Sequence, residues 1–142
     1  MKLSEPPAIA QVEELLAEKG YEVAELSDGL LRARDQETGV TFQTALEGNV
    51  LYMSVTLTSV PAAAVTPELM RKLLAADNGI STSAFKLIEA DGKIMITLNN
   101  FCTLQNMGEE DKDDILSLAG YLMADLLEAR ELLQPLAQTA GR

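Results

Sequence analysis

From Tyr21 to Thr58 the chain passes through four short segments, YEVAEL, LLRAR, VTFQTAL and VLYMSVTLT, separated by SDG, DQETG and EGN. Each run is partly β-branched or aromatic and is closed by Gly, Asp or Asn, the pattern of an antiparallel meander. In the last run Leu51, Met53, Val55 and Leu57 alternate with Tyr52, Ser54, Thr56 and Thr58. A strand with that period has one apolar face and one polar face, so the sheet needs a layer of helices to cover it.

The flanking sequence supplies those helices. Pro6 and Pro7 stand where a first helix begins, since proline is tolerated in the first turn. Ala8, Ile9, Val12, Leu15 and Leu16 then recur at helical spacing, and Gly20 ends the element. VPAAAV reads as a linker. Thr66-Pro67-Glu68 starts a second helix, with Thr66 as N-cap and Leu69, Met70, Leu73 and Leu74 as its buried stripe, stopped by Asp77-Asn78-Gly79. SAFKLIEADGKIMITL reads as a hairpin turning at Asp91-Gly92, which supplies the two positive-φ positions of a type I′ turn.

A long final helix is predicted from about Glu109 to Gln138. Its stripe of Ile115, Leu118, Leu122, Leu126, Leu133 and Leu136 is widened by Leu116, Ala119, Met123 and Leu127. Pro135 ends or bends it. The order α-β-β-β(β)-α-β-β-α predicts an α+β fold, an antiparallel sheet of five to six strands with helices packed on it. No internal repeat or linker interrupts residues 1–142, which are read as a single domain.

The core is aliphatic, because tryptophan is absent and aromatic residues make up 4% of the chain. The 22 acids against 11 bases give a net charge of −11. Such a chain repels phosphate backbones and anionic lipid, so nucleic-acid binding and direct membrane insertion are not expected. The N-terminal stretch has acids and prolines where a signal peptide needs an apolar run, and no segment approaches the length of a membrane span. The expected location is the cytoplasm.

Catalytic chemistry finds little purchase. No histidine occurs, which removes the commonest general base, proton shuttle and zinc ligand. A Ser-His-Asp or Cys-His arrangement is therefore impossible, and a lone cysteine cannot build a thiolate cage. GxxxxGK[ST] and GxGxxG are both missing. No catalytic, cofactor-binding or metal-ligating residue is assigned, and no enzyme activity is expected. Cys102, read as lying just beyond a strand with no cation beside it in sequence, is expected to be an unreactive thiol.

The acids of NMGEEDKDDI, Asn106 to Ile115, invite a metal reading. In an EF-hand loop the ligands alternate around an internal glycine; here Gly108 precedes the acids, which run consecutively into a helical pattern. Consecutive helical side chains point around the circumference and cannot converge on one ion. Acids in a first turn instead meet exposed N–H groups and the positive end of the dipole. A helix start is the better reading.

Arg32 and Arg34 alternate on LLRAR and share a strand face, as a small anion- or partner-docking strip or as a solvated face paired with nearby acids. Met53, Met70, Met95, Met107 and Met123 are read mainly as core, with some available to line an adaptable surface.

The stretch LMRKLLAADNGISTSAFKLIEADGKIMITLNNFCTL, followed by a leucine-rich helix, resembles the YbjN-like and type III secretion chaperone-like families. Val65 to Leu74 and Ser83 to Leu87 also resemble the small YjfI-like family. The resemblance covers most of the chain in element order and implies a secretion-chaperone-like fold that self-associates. On that basis the expected function is a non-enzymatic, chaperone-like adaptor or regulator: a homodimer binding another protein through apolar surface, by strand addition or helix packing. Val55, Leu122, Leu126 and Leu133 are the candidate contacts, with Arg32 and Arg34 beside them. Two other readings are a small-ligand-binding domain or carboxylate-based enzyme, and a structural subunit of a membrane-stress or secretion-associated complex.

Overall fold

The computed structural model describes residues 7–136. Its elements are α1 (Ile9–Glu18), β1 (Tyr21–Ser27), β2 (Leu30–Asp35), β3 (Thr41–Glu47), β4 (Val50–Pro61), α2 (Pro67–Leu74), β5 (Ala84–Ala90), β6 (Lys93–Thr103) and α3 (Glu109–Leu132). The strands form one six-stranded antiparallel sheet in the order β1-β2-β3-β4-β6-β5. The α+β architecture expected from the segment order is the one observed.

Local chemistry explains the boundaries. Thr66 Oγ1 accepts a hydrogen bond from the Leu69 N–H at 3.1 Å and Pro67 opens α2, so the N-cap and N1 roles fall on the residues whose chemistry suits them. At the other hairpin, Asp91 (φ 54°) and Gly92 (φ 78°) both occupy the left-handed region, and Ala90 pairs with Lys93. Ala8 precedes α1, and its N–H donates to Gln11 Oε1 at 3.2 Å. Pro6 lies outside the described residues.

Several boundaries differ from the sequence reading. β4 runs on to Pro61 and is followed by a 3-10 turn at Ala62–Ala64, so VPAAAV is not simply a linker. Burial of Val60 and a bond from the Ala62 N–H to the Gly92 carbonyl hold that extension in place. β6 reaches Thr103, which puts Cys102 within the strand rather than beyond it. α3 ends at Leu132, ahead of Pro135; the expected end at Gln138 lies outside the described residues.

The chain divides into two compact units, one built from residues 1–55 and 100–120 and the other from residues 56–99 and 121–142. In the first, α1 packs on β1 and β2. Its interior holds Val12, Leu16, Leu31, Phe42, Leu51 and Ile115, all buried, and Tyr21 meets Phe42 edge-on with ring centroids 5.6 Å apart. In the second, Val60, Leu69, Leu73, Ile94, Ile96, Leu133 and Leu136 form one buried cluster joined at its margin by Leu57, Val65 and Phe85. Among the described residues no helix is long and apolar enough to cross a membrane.

Candidate protein-interaction surfaces

Strand alternation sorts the first unit's sheet into two faces. Leu31, Ala33, Phe42, Thr44, Leu51 and Met53 turn inward and are buried. Arg32, Arg34, Gln43 and Tyr52 turn to the other side and are exposed. Register aligns this outer face in rows: Glu22 opposite Arg34, Ala24 opposite Arg32 and Arg32 opposite Gln43, then Leu30 opposite Ala45 and Ala45 opposite Tyr52. Arg32 and Arg34 thus share a face, as the sequence predicts. They line, with Glu22, Ala24 and Thr41, a shallow depression of about 290 Å³. Arg34 reaches Glu22 at 3.5 Å, whereas Arg32 has no ion-pair partner among the described residues.

At the far end of the same face, Tyr52 and Phe101 stand side by side with ring centroids 6.2 Å apart. Phe101 is 62% exposed and Tyr52 40%. No pattern local in sequence marks Tyr52 and Phe101 as a pair. The alternation of β4 points Tyr52 outward, but only the β4–β6 neighbour relation brings Phe101 beside it.

The second unit carries a different surface. Of the stripe assigned to α2, Leu69 and Leu73 are buried, but Met70 and Leu74 are not; Leu74 is 76% exposed. The helix is too short and its apolar face too broad for one underlying cluster to cover. Pro67, Met70, Arg71, Leu74 and Ala75 line an open, mainly apolar groove of about 470 Å³. Leu127, assigned to the α3 stripe, is likewise exposed.

The four apolar positions singled out for self-association, Val55, Leu122, Leu126 and Leu133, are all buried within the chain itself. Leu133 belongs to the buried cluster of the second unit.

Charge is divided as unevenly as apolar surface. Residues 1–55 and 100–120 hold 15 acids and 5 bases; residues 56–99 and 121–142 hold 7 and 6. The first unit therefore carries nearly all of the net charge.

Two aspartates of α3 are buried and heavily bonded. Asp111, 3% exposed, takes hydrogen bonds on Oδ2 from the N–H groups of Gln105, Asn106 and Met107 at 2.7, 2.9 and 2.7 Å. The loop wraps the oxygen closely enough to hold Met107 at φ 60°. Asp111 is thus more than one of several acids at a helix start. The exposed Glu109 and Glu110 fit the dipole role expected of the group, and Glu109 also lies 3.9 Å from Lys112.

Asp125 does the same in the second unit. It accepts from the Ser81 N–H and Oγ at 2.8 and 2.9 Å on Oδ1, and from the Thr82 and Ser83 N–H groups at 3.2 and 3.0 Å on Oδ2. Burial pushes its carboxyl pKa up, but the bonds from Ser81 and Ser83 outweigh burial and leave it below the ordinary value. An acid inside the apolar pattern Leu122, Asp125, Leu126, Ala129 was the available sequence signal for it.

Cys102 is half-buried, and its thiol is pushed up to about 11, first by burial and then by Asp114 and Asp111. Among the described residues no group of three or more His, Cys, Asp or Glu side chains is placed to hold a metal ion.

No protein-family model matches the chain, and no curated protein sequence does. Solved structures do. YbjN of E. coli superposes with a TM-score of 0.67 at 17% identity, over 90% of this chain and 94% of that one. A chain of the heterodimeric ExoU–SpcU complex, from the type III secretion system of Pseudomonas aeruginosa, superposes with a TM-score of 0.58 at 21% identity, over 87% of this chain and 98% of that one. At these identities the likeness is one of fold. The chain has a YbjN-like, secretion-chaperone-like fold.

Proposed function

We propose that the protein is a non-enzymatic interaction module, a chaperone-like adaptor or regulator that self-associates and binds another protein through exposed apolar surface. The observation that carries this reading is the α2 groove, where Met70 and Leu74 stand in the open on the unit with almost no net charge. Covering an exposed Leu or Met side chain contributes about 1.5–3 kcal/mol. The fold likeness adds support, since a chain of this fold is one half of the ExoU–SpcU heterodimer.

A second copy of the chain suits the groove. Two first units would repel each other through their acids, whereas two second units would not. Glu68 lies in the first turn of α2, and Arg71 and Lys72 in its last. An antiparallel pairing of two α2 helices about a twofold axis would set Glu68 of each against the bases of the other. The two buried carboxylates among the described residues support the non-enzymatic part of the reading: Asp111 and Asp125 are both engaged by backbone N–H groups, and they serve the fold.

Light scattering on the wild type and on Leu74→Glu tests the self-association. The wild type is expected at dimer mass and the variant at monomer mass, with the circular dichroism of the two unchanged. Equal masses for the two proteins would remove α2 from the interface.

A further inference from the structure

We propose that the open sheet face of the first unit is a second docking surface, built for a protein segment that presents a carboxylate to Arg32 and an apolar side chain to the Tyr52–Phe101 pair. This rests on the protein-binding reading above and names a surface and a partner chemistry that reading does not supply.

Three observations lead there. Tyr52 and Phe101 are exposed aromatics in contact with each other, and the register partners in line with Tyr52 are Ala45 and Leu30. The described residues leave Phe101 62% and Tyr52 40% exposed. Tyr and Arg are the residue types that anchor protein interfaces, because each joins a large flat contact area to a polar end.

The charge on this face supplies the partner's sign. The first unit is strongly acidic, yet two of its five bases point into one depression on this side. Arg34 is already paired with Glu22, which leaves Arg32 as the cation without a partner among the described residues. A guanidinium offers a fixed fork that a carboxylate fills with two bonds. Glu22 and Arg34 offset each other within the depression, so its lining carries one net positive charge, on Arg32.

Geometry sets the spacing. β2 and β6 are three strand steps apart, about 14 Å at the usual inter-strand distance. Arg32 lies two residues, about 7 Å, along the strand from the row that holds Tyr52, which makes the diagonal about 16 Å. An extended segment covers that span in roughly five residues, so its acidic and apolar contacts are expected about five positions apart.

A random twelve-residue peptide library displayed on phage, panned against the full-length protein, tests the inference. Enriched peptides are expected to carry Asp or Glu about five positions from an aromatic or aliphatic residue. Synthetic copies should bind Arg32→Glu and Phe101→Ser at least tenfold more weakly than wild type, and Arg32→Lys with a smaller loss. The substituted side chains are exposed, and unchanged melting temperatures would separate lost binding from lost fold. Basic peptides among the enriched sequences, or acidic ones indifferent to Arg32 and Phe101, would overturn this surface and leave the protein-binding reading standing. No enrichment over a control protein would overturn both. A monomer mass for Phe101→Ser beside a dimeric wild type would assign the face to self-association instead and overturn the acidic-partner proposal.

Discussion

Ser81 and Asp125 lie 44 residues apart in sequence and are joined twice, through the Ser81 N–H and its hydroxyl, to one oxygen of a carboxylate that is 2% exposed. The loop leading into β5 is thereby fixed to α3 within the second unit. Removing the acceptor takes away the shared partner of the Ser81 N–H and hydroxyl and of the Thr82 and Ser83 N–H groups. Asp125→Ala is expected to lower stability by about 2–4 kcal/mol and Asp125→Asn, which keeps one acceptor, by less. Urea unfolding at pH 7 measures both.

The same contact carries a pH dependence. Because the folded pKa of Asp125 lies below its ordinary value, its contribution is present above the unfolded pKa and is lost as pH falls through the folded one. The stability gap between wild type and Asp125→Asn should be level from pH 6 to 8 and shrink below about pH 4. A gap that stays constant down to pH 2 would contradict the assignment.

The acidic start of α3 separates into unequal parts. Glu109→Gln and Glu110→Gln alter only exposed charges near the helix dipole and should each cost a few tenths to about 1 kcal/mol. Asp111→Ala orphans the three N–H groups of Gln105, Asn106 and Met107 and should cost about 2–3 kcal/mol. Thermal melts of the three single variants would show it. Equal effects would mean that the dipole, not the loop clamp, is what Asp111 serves.

Cys102 is expected to be a sluggish nucleophile. With its thiol pushed up to about 11, alkylation of the native protein by iodoacetamide at pH 8 should run on the order of a hundredfold slower than that of a free cysteine. Asp114→Asn removes one of the charges opposing the thiolate and should speed the reaction. A rate matching free cysteine would contradict the burial described for this side chain.

β4, β6 and α3 each continue from one compact unit into the other without a break in the chain. Calorimetry is expected to show one unfolding transition, with matching van't Hoff and calorimetric enthalpies. Two resolved transitions would contradict the reading of the chain as a single domain.

What the sequence announced was whatever depends on neighbours along the chain. The Thr66-Pro67-Glu68 start of α2 and the Asp91-Gly92 turn were both legible because cap and turn chemistry act over three or four residues. The shared face of Arg32 and Arg34 followed from strand alternation alone. The clamps at Asp111 and Asp125 were not foreseen; the second closes a loop across 42 to 44 positions, which no local pattern encodes. The Tyr52–Phe101 pair needed the knowledge that β4 lies next to β6. Periodicity put Met70 and Leu74 in the buried stripe of α2, whereas the described residues leave them 37% and 76% exposed.

Light scattering of the full-length protein across micromolar concentrations tests the central claim most directly. The protomer mass is 15.3 kDa. The proposal predicts about twice that for the wild type, and protomer mass for Leu74→Glu. A wild type that stays at protomer mass throughout the range, with Leu74 still exposed, would contradict it.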